Sequence, residues 1–216
     1  MATYLDVVNN VLKRLREPTV TSVGDTDYSA MIGVLINDSK REIEDAYDWN
    51  ALTDTLTADT TASVFNYVLV GSGTRFRVID VLNDTNNCTL SYAPTTWMNR
   101  QYLTTDYQES QPSYYNFNGV NSDGDTQVDL YPVPDAAYSI RFNLVIPQVD
   151  LVNDNDRILV PSHLVEMLTY AKAIAERGDD AGVQTSEAYQ LYRLSLADAV
   201  AIERNHYDEE VVWDSK

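Results

Sequence analysis

One cysteine, Cys88, stands among 216 residues, which excludes an internal disulfide framework and a thiolate metal site. A lone thiol fits a chain made and kept in a reducing cytoplasm. Histidine is nearly as scarce: His163 and His206 lack metal-ligand spacing and read as surface or capping residues. No apolar run approaches the roughly 20 residues that span a bilayer. The opening Met1-Ala2-Thr3-Tyr4-Leu5-Asp6 has neither the basic patch nor the apolar core of a signal peptide. Basic residues are a minority, 15 Lys and Arg against 33 Asp and Glu, for a net charge of −18. Nucleic-acid binders neutralise phosphates with Lys and Arg, and this chain repels a phosphate backbone as a whole. Most of its carboxylates read as a solvating surface. A Gly-Lys-Ser phosphate loop and a GxGxxG turn after a strand are both missing.

The remaining enzyme constellations are thin, and the residues assign no catalytic, cofactor-binding or metal-ligating position. Cys88 lacks the surroundings of a catalytic cysteine. Asp123-Gly124-Asp125 and Asp154-Asn155-Asp156 look like fragments of calcium loops. Neither has the alternating ligands and terminal bidentate Glu of a complete one. Asn, Asp and Gly are also the material of turns, and these clusters read as turns. Paired carboxylates for glycoside hydrolysis stay open, because their test is a separation in space.

What the chain does have is a 44% hydrophobic fraction and 15 tyrosines against 4 phenylalanines. The first suffices for a sizeable core without staples. Tyrosine suits half-buried surfaces such as interfaces, and also strands. Tyr92, Tyr102, Tyr107, Tyr114, Tyr115 and Phe117 crowd into one stretch.

Thr3 with Asp6 predicts a capped first helix carrying Leu5, Val8, Leu12 and Leu15, stopped by Pro18. A second helix is expected over about Asp27 to Trp49. Tyr28, Met31, Ile32, Leu35, Ile43, Ala46 and Tyr47 mark its buried stripe, and Asp38, Lys40, Arg41, Glu42, Glu44 and Asp45 its wet side. From Ala51 the period changes to two. Strands are expected at Leu52–Leu56, Ser63–Val70, Arg75–Asn83, Cys88–Ala93, Ser113–Phe117, Thr126–Tyr131 and Tyr138–Ile146. A short helix after Pro94 interrupts them. Pro161 opens a further helix that Gly178 ends. A last helix runs from about Asp180 to Arg204. Leu191, Leu194, Leu196 and Val200 help to make it apolar on nearly every side, which predicts burial against another subunit.

The expected fold class is α+β: a helical bundle built from both chain ends, with an antiparallel β domain inserted between. The expected divisions are 1–50 and 158–204 for the bundle helices, 51–157 for the β domain with its short helix, and 205–216 for an extended tail.

Several stretches resemble a known family in its own order. They are Tyr4 to Glu17, Thr19 to Val23, the distinctive Lys40-Arg41-Glu42-Ile43-Glu44-Asp45-Ala46-Tyr47-Asp48-Trp49, Leu130 to Phe142, and Val160-Pro161-Ser162 leading into Ala175-Glu176-Arg177-Gly178. Together they are similar to the head-to-tail adaptors of short-tailed bacteriophages, the tail tubular protein A family. The resemblance implies a structural virion subunit, not an enzyme, with no cofactor. It would be made in the host cytoplasm and placed in the tail at the capsid vertex. It implies a ring of twelve copies that joins the portal protein to the tail nozzle protein. DNA passes through that channel during ejection without specific binding, and no membrane is involved. The family's portal contact through its C-terminal portion, carried onto this chain, points to Tyr207, Val211, Val212 and Trp213. Closed rings need heterologous contacts, for which Leu191, Leu194, Leu196 and Val200 are the candidates. Acidic residues are expected to face the lumen. The alternative reading is a virion-associated, carboxylate-dependent glycan hydrolase.

Overall fold

The chain begins its first helix where the sequence supplies both halves of a capping box. Thr3 and Asp6 exchange hydrogen bonds, Thr3 N–H to Asp6 Oδ2 at 3.0 Å and Asp6 N–H to Thr3 Oγ1 at 3.2 Å, so two otherwise orphaned amides are satisfied. The computed structural model describes residues 2–104, 107–178 and 183–205. It divides into two units, one of residues 1–52 with 148–216, the other of residues 53–147.

The first unit is helical. Its elements are α1 (Tyr4–Arg14), α2 (Asp27–Ala46), α4 (Ser162–Arg177) and α5 (Val183–Arg204). Helix α1 buries Tyr4, Val7, Val8, Val11 and Leu12, one stripe at helical spacing. A second Thr26–Ser29 capping box opens α2. At Gly33 an added Cβ would meet the Tyr4 hydroxyl and lie 2.8 Å from Val23 Cγ1. The missing side chain is what lets α1 and its loop approach α2. Helix α4 buries Leu164, Val165, Leu168, Ala171 and Ile174 and ends at Gly178 in the left-handed conformation, φ 67°, as glycine permits. Helix α4 packs against α1, α2 and α5.

Two expectations for α2 need correction. It ends at Ala46 and not at Trp49. Tyr47 is extended, and Trp49 turns inward to donate Nε1–H to the Ile43 carbonyl at 2.7 Å. Its supposed wet side also reaches into the core. The Lys40 and Glu44 side chains are both fully buried and form an ion pair at 3.1 Å. Lys40 Nζ donates to the Gln148 carbonyl at 2.6 Å, and the Gln148 N–H donates to Glu44 Oε1 at 3.3 Å. A buried charge survives only when paired and hydrogen-bonded, and this pair uses a returning segment of backbone.

The second unit is a β-sandwich. Its strands are β1 (Thr53–Asp59), β2 (Asn66–Leu69), β3 (Arg77–Asn83), β4 (Cys88–Thr89), β5 (Ser91–Tyr92), β6 (Tyr114–Val120), β7 (Thr126–Tyr131) and β8 (Ser139–Val145), with α3 (Thr95–Tyr102) between β5 and β6. One sheet runs β1-β8-β3-β4 and the other β2-β7-β6-β5. Alternate residues from both, among them Val81, Val128, Leu130, Ile140, Phe142 and Leu144, form one core, as period-two strands dictate. Seven strands were expected and eight are described, because the segment from Cys88 changes sheets in mid-course. Cys88 and Thr89 pair with β3, Leu90 is buried, and Ser91 and Tyr92 pair with β6. The β5–β6 pair is parallel, as is the isolated Glu109–Val133 bridge, and the other strand pairs of the unit are antiparallel. Helix α3 seats Met98 against Ala93 and Tyr131. The expected α+β class holds, with helices at both chain ends and the β region between them in sequence.

Candidate interaction surfaces

Helix α5 separates the four residues expected to make subunit contacts. Leu191 and Leu194 are 58% and 66% exposed, as is Ile202 at 63%. Leu196 and Val200 are half-buried. Helical geometry explains the split. At roughly 100° per residue, Leu191, Leu194 and Ile202 fall on one side, and Tyr192 and Leu196 on the other, facing α4. Tyr192 is buried there. Desolvation raises its phenol, with Glu42 and Tyr189 adding to the effect, to about 12. So α5 uses one face for its own unit and leaves Leu191, Leu194 and Ile202 exposed on another, with the exposed Asp198 between them.

The tyrosine-rich stretch also divides by strand alternation. Tyr115 turns into the sandwich core, while Tyr114 turns out. Outside the core, Trp97 lies 4.9 Å from Tyr114 and 5.4 Å from Tyr131, and Phe65 lies 4.5 Å from Tyr102, measured between ring centroids. Tyr102 donates its hydroxyl to the Leu130 carbonyl at 2.8 Å, and burial pushes its phenol upward. Ser63, Phe65, Tyr102, Tyr107 and Val133 line a shallow cleft of about 150 Å³. Leu103, 85% exposed, and Tyr92 extend the apolar surface of this unit. Offset and edge-on rings hold such a patch stiff, so it loses little entropy on docking.

The candidate metal fragments are turns. Asn121 Oδ1 accepts from the amides of Asp123 and Asp125. Asp156 accepts from the amides of Val152 and Asn153, which hold its carboxyl below the ordinary range. Asp154 accepts from the Val23 amide. Among the described residues no cluster of three His, Cys, Asp or Glu has metal-binding geometry. Asp6 and Asp25 are lowered in the same way, first by a backbone hydrogen bond at Thr3 and by the Thr21 hydroxyl respectively. His163 is exposed on the first turn of α4, and Cys88 is half-buried. His206 and the portal-contact candidates Tyr207, Val211, Val212 and Trp213 lie outside the described residues. No described helix is long and apolar enough to cross a membrane.

Reasoning from sequence missed the Lys40–Glu44 pair, since i,i+4 opposite charges look the same on a wet face. It also missed the gathering of Arg14, Arg16 and Arg177 around one cleft, which no spacing in the chain announces.

The chain matches the SU10 adaptor protein family over residues 2–212. No curated protein matches it. A match over almost the whole length, across both units, shows the family: the chain belongs to the SU10 adaptor proteins.

Proposed function

We propose, from this membership, that the chain is the head-to-tail adaptor subunit of a bacteriophage tail. Its copies form a ring of twelve that joins the capsid portal to the tail nozzle and continues the DNA channel. The family match over residues 2–212 carries the reading. The exposed side chains Leu191, Leu194 and Ile202 support it, as a face that a second copy would cover, while Leu196 and Val200 lie half-buried on the opposite side of the helix. Large apolar surface rimmed by polar residues marks association sites. In this reading Tyr207, Val211, Val212 and Trp213 anchor the subunit to the portal, Trp213 as the large aromatic side chain that dominates such contacts. The aromatic surface around Trp97 and Tyr114 offers the nozzle a rigid platform. The acidic balance lines the lumen with charge that DNA does not hold to.

A glycan hydrolase needs a general acid whose pKa is raised. Among the described residues the carboxyls of Asp6, Asp25 and Asp156 are lowered by hydrogen bonds they accept, the opposite of what a general acid needs. Locating the subunit in an image of the virion tail tests the proposal. A ring between the capsid vertex and the nozzle is expected. Placement on a fibre, or absence from the particle, would contradict it.

A further inference from the structure

We propose that the cleft at the C-terminal end of α1 receives the acidic segment Asp208-Glu209-Glu210 of a second copy of this chain. The cleft measures about 360 Å³ and is lined by Arg14, Leu15, Arg16, Tyr170, Ile174, Arg177 and Gln184. Three guanidinium groups thus converge in a chain whose net charge is −18. Two already have counter-charges: Arg14 pairs with Glu166 at 3.4 Å, and Arg177 pairs with Glu17 and donates Nε–H to the Tyr28 hydroxyl at 2.9 Å. Arg16 is exposed and has no carboxylate partner among the described residues.

The backbone at Arg16 adds a second observation. Arg16 N–H donates to the Lys13 carbonyl at 3.1 Å and Glu17 N–H to the Leu12 carbonyl at 2.9 Å. These are the two bonds of a Schellman turn, with Arg16 at its left-handed position, φ 60°. Glycine is favoured there and a side chain strains the backbone. The guanidinium is therefore presented at the cleft from a position where the backbone alone favours no side chain.

A guanidinium rim over the apolar floor of Leu15 and Ile174 suits carboxylates carried on aliphatic stems. Duplex DNA has no such stems, and the chain's overall charge opposes it. Asp208-Glu209-Glu210 offers three adjacent carboxylates. The segment reaches the cleft more readily from a second copy than from its own. Gln184, at the start of α5, lines the cleft, and α5 carries the chain roughly 30 Å away by Arg204. The residues from Arg204 to Glu210 span at most about 20 Å. The contact therefore joins two different patches on two copies, the heterologous kind that closes into rings. It rests on the ring reading only in needing a neighbour.

The test is a labelled synthetic peptide of residues 205–216, titrated with the full-length chain at low salt and read by fluorescence anisotropy. The native peptide is expected to bind. Arg16→Glu in the chain should weaken it about tenfold. Asp208→Asn, Glu209→Gln and Glu210→Gln in the peptide should do the same, as should added salt. Arg16→Gly should also weaken binding while its melting temperature stays level or rises, so the loss is not unfolding. Equal binding of the neutralised peptide, or unchanged affinity in both Arg16 variants, overturns the proposal. So does Arg16-dependent binding of duplex DNA by a chain indifferent to the peptide. A mixing experiment separates this from the ring reading. Chains with Asp208, Glu209 and Glu210 changed to Lys, and chains with Arg14→Glu and Arg16→Glu, should each fail to assemble on the portal and assemble when mixed. Rings from either variant alone sink the cleft contact and leave the ring reading standing. If the wild type forms no ring while peptide binding still depends on Arg16, the contact stands and the ring reading falls.

Discussion

Replacing Lys40 with Met removes the ammonium that faces Glu44 and keeps most of its volume. Both side chains are fully buried, and the ammonium also holds the Gln148 carbonyl at 2.6 Å. Two losses follow: a buried carboxylate without its cation, and a backbone carbonyl without its donor. Breaking one side of a buried ion pair costs about 3–5 kcal/mol. That is a large share of the ~5–15 kcal/mol that holds an ordinary domain folded. Replacing both partners, as in Lys40→Met with Glu44→Leu, removes the stranded charge, and such exchanges are often neutral or stabilising. Urea unfolding followed by circular dichroism at 222 nm reads the helices, which belong mainly to the unit that contains the pair. With a slope of ~1–3 kcal/mol per M, the single variant should lose on the order of 2 M in midpoint, and the double variant should recover most of it. A loss under about 1 kcal/mol for Lys40→Met, or a double variant no better than the single, would show that water reaches the pair and refute the reasoning.

Gly33→Ala should cost about 1–3 kcal/mol by overpacking against Tyr4 and Val23; an unchanged melting temperature would mean that α1 and its loop yield freely. Leu191→Lys with Leu194→Lys should leave the melting curve within about 0.5 kcal/mol of wild type, because both side chains are exposed, yet abolish ring formation in sedimentation; rings of normal size would remove this face from the interface. The carboxyls of Asp6, Asp25 and Asp156 lie below their ordinary values in the folded chain. The stability they contribute is present above the unfolded value of about 4 and is lost as pH falls through the folded values. Unfolding midpoints should decline below about pH 4, and a profile flat to pH 2 would contradict the hydrogen bonding described. Trp213→Ala should weaken portal binding tenfold or more with the melting curve unchanged; unaltered affinity would take Trp213 out of the anchor.

Much of this fold was legible because its signals are local. Thr3 with Asp6 announces a cap, Gly178 a helix end, and the period-two run Thr126–Tyr131 a strand with its observed bounds. What failed depends on distant partners. Lys40 and Glu44 look like a surface pair until the Gln148 backbone returns to cover them. The change of sheet at Leu90 is invisible because alternation is preserved on both sides of it. The same limit governs the interaction surfaces. The sequence makes α5 look apolar on nearly every side, but which of its faces α4 takes is a packing outcome, and it separates Leu191 and Leu194 from Leu196 and Val200. The arginine cleft draws Arg14 and Arg16 from one end of the chain and Arg177 from the other. No window along the sequence contains it.

In the proposed function this chain works through surfaces that fit copies of itself and the capsid's exit vertex. The mass of the complex formed when it is mixed with purified portal, measured by multi-angle light scattering, tests that most directly. A portal carrying twelve copies is the predicted result. A subunit that stays monomeric beside the portal at every concentration tried would contradict it.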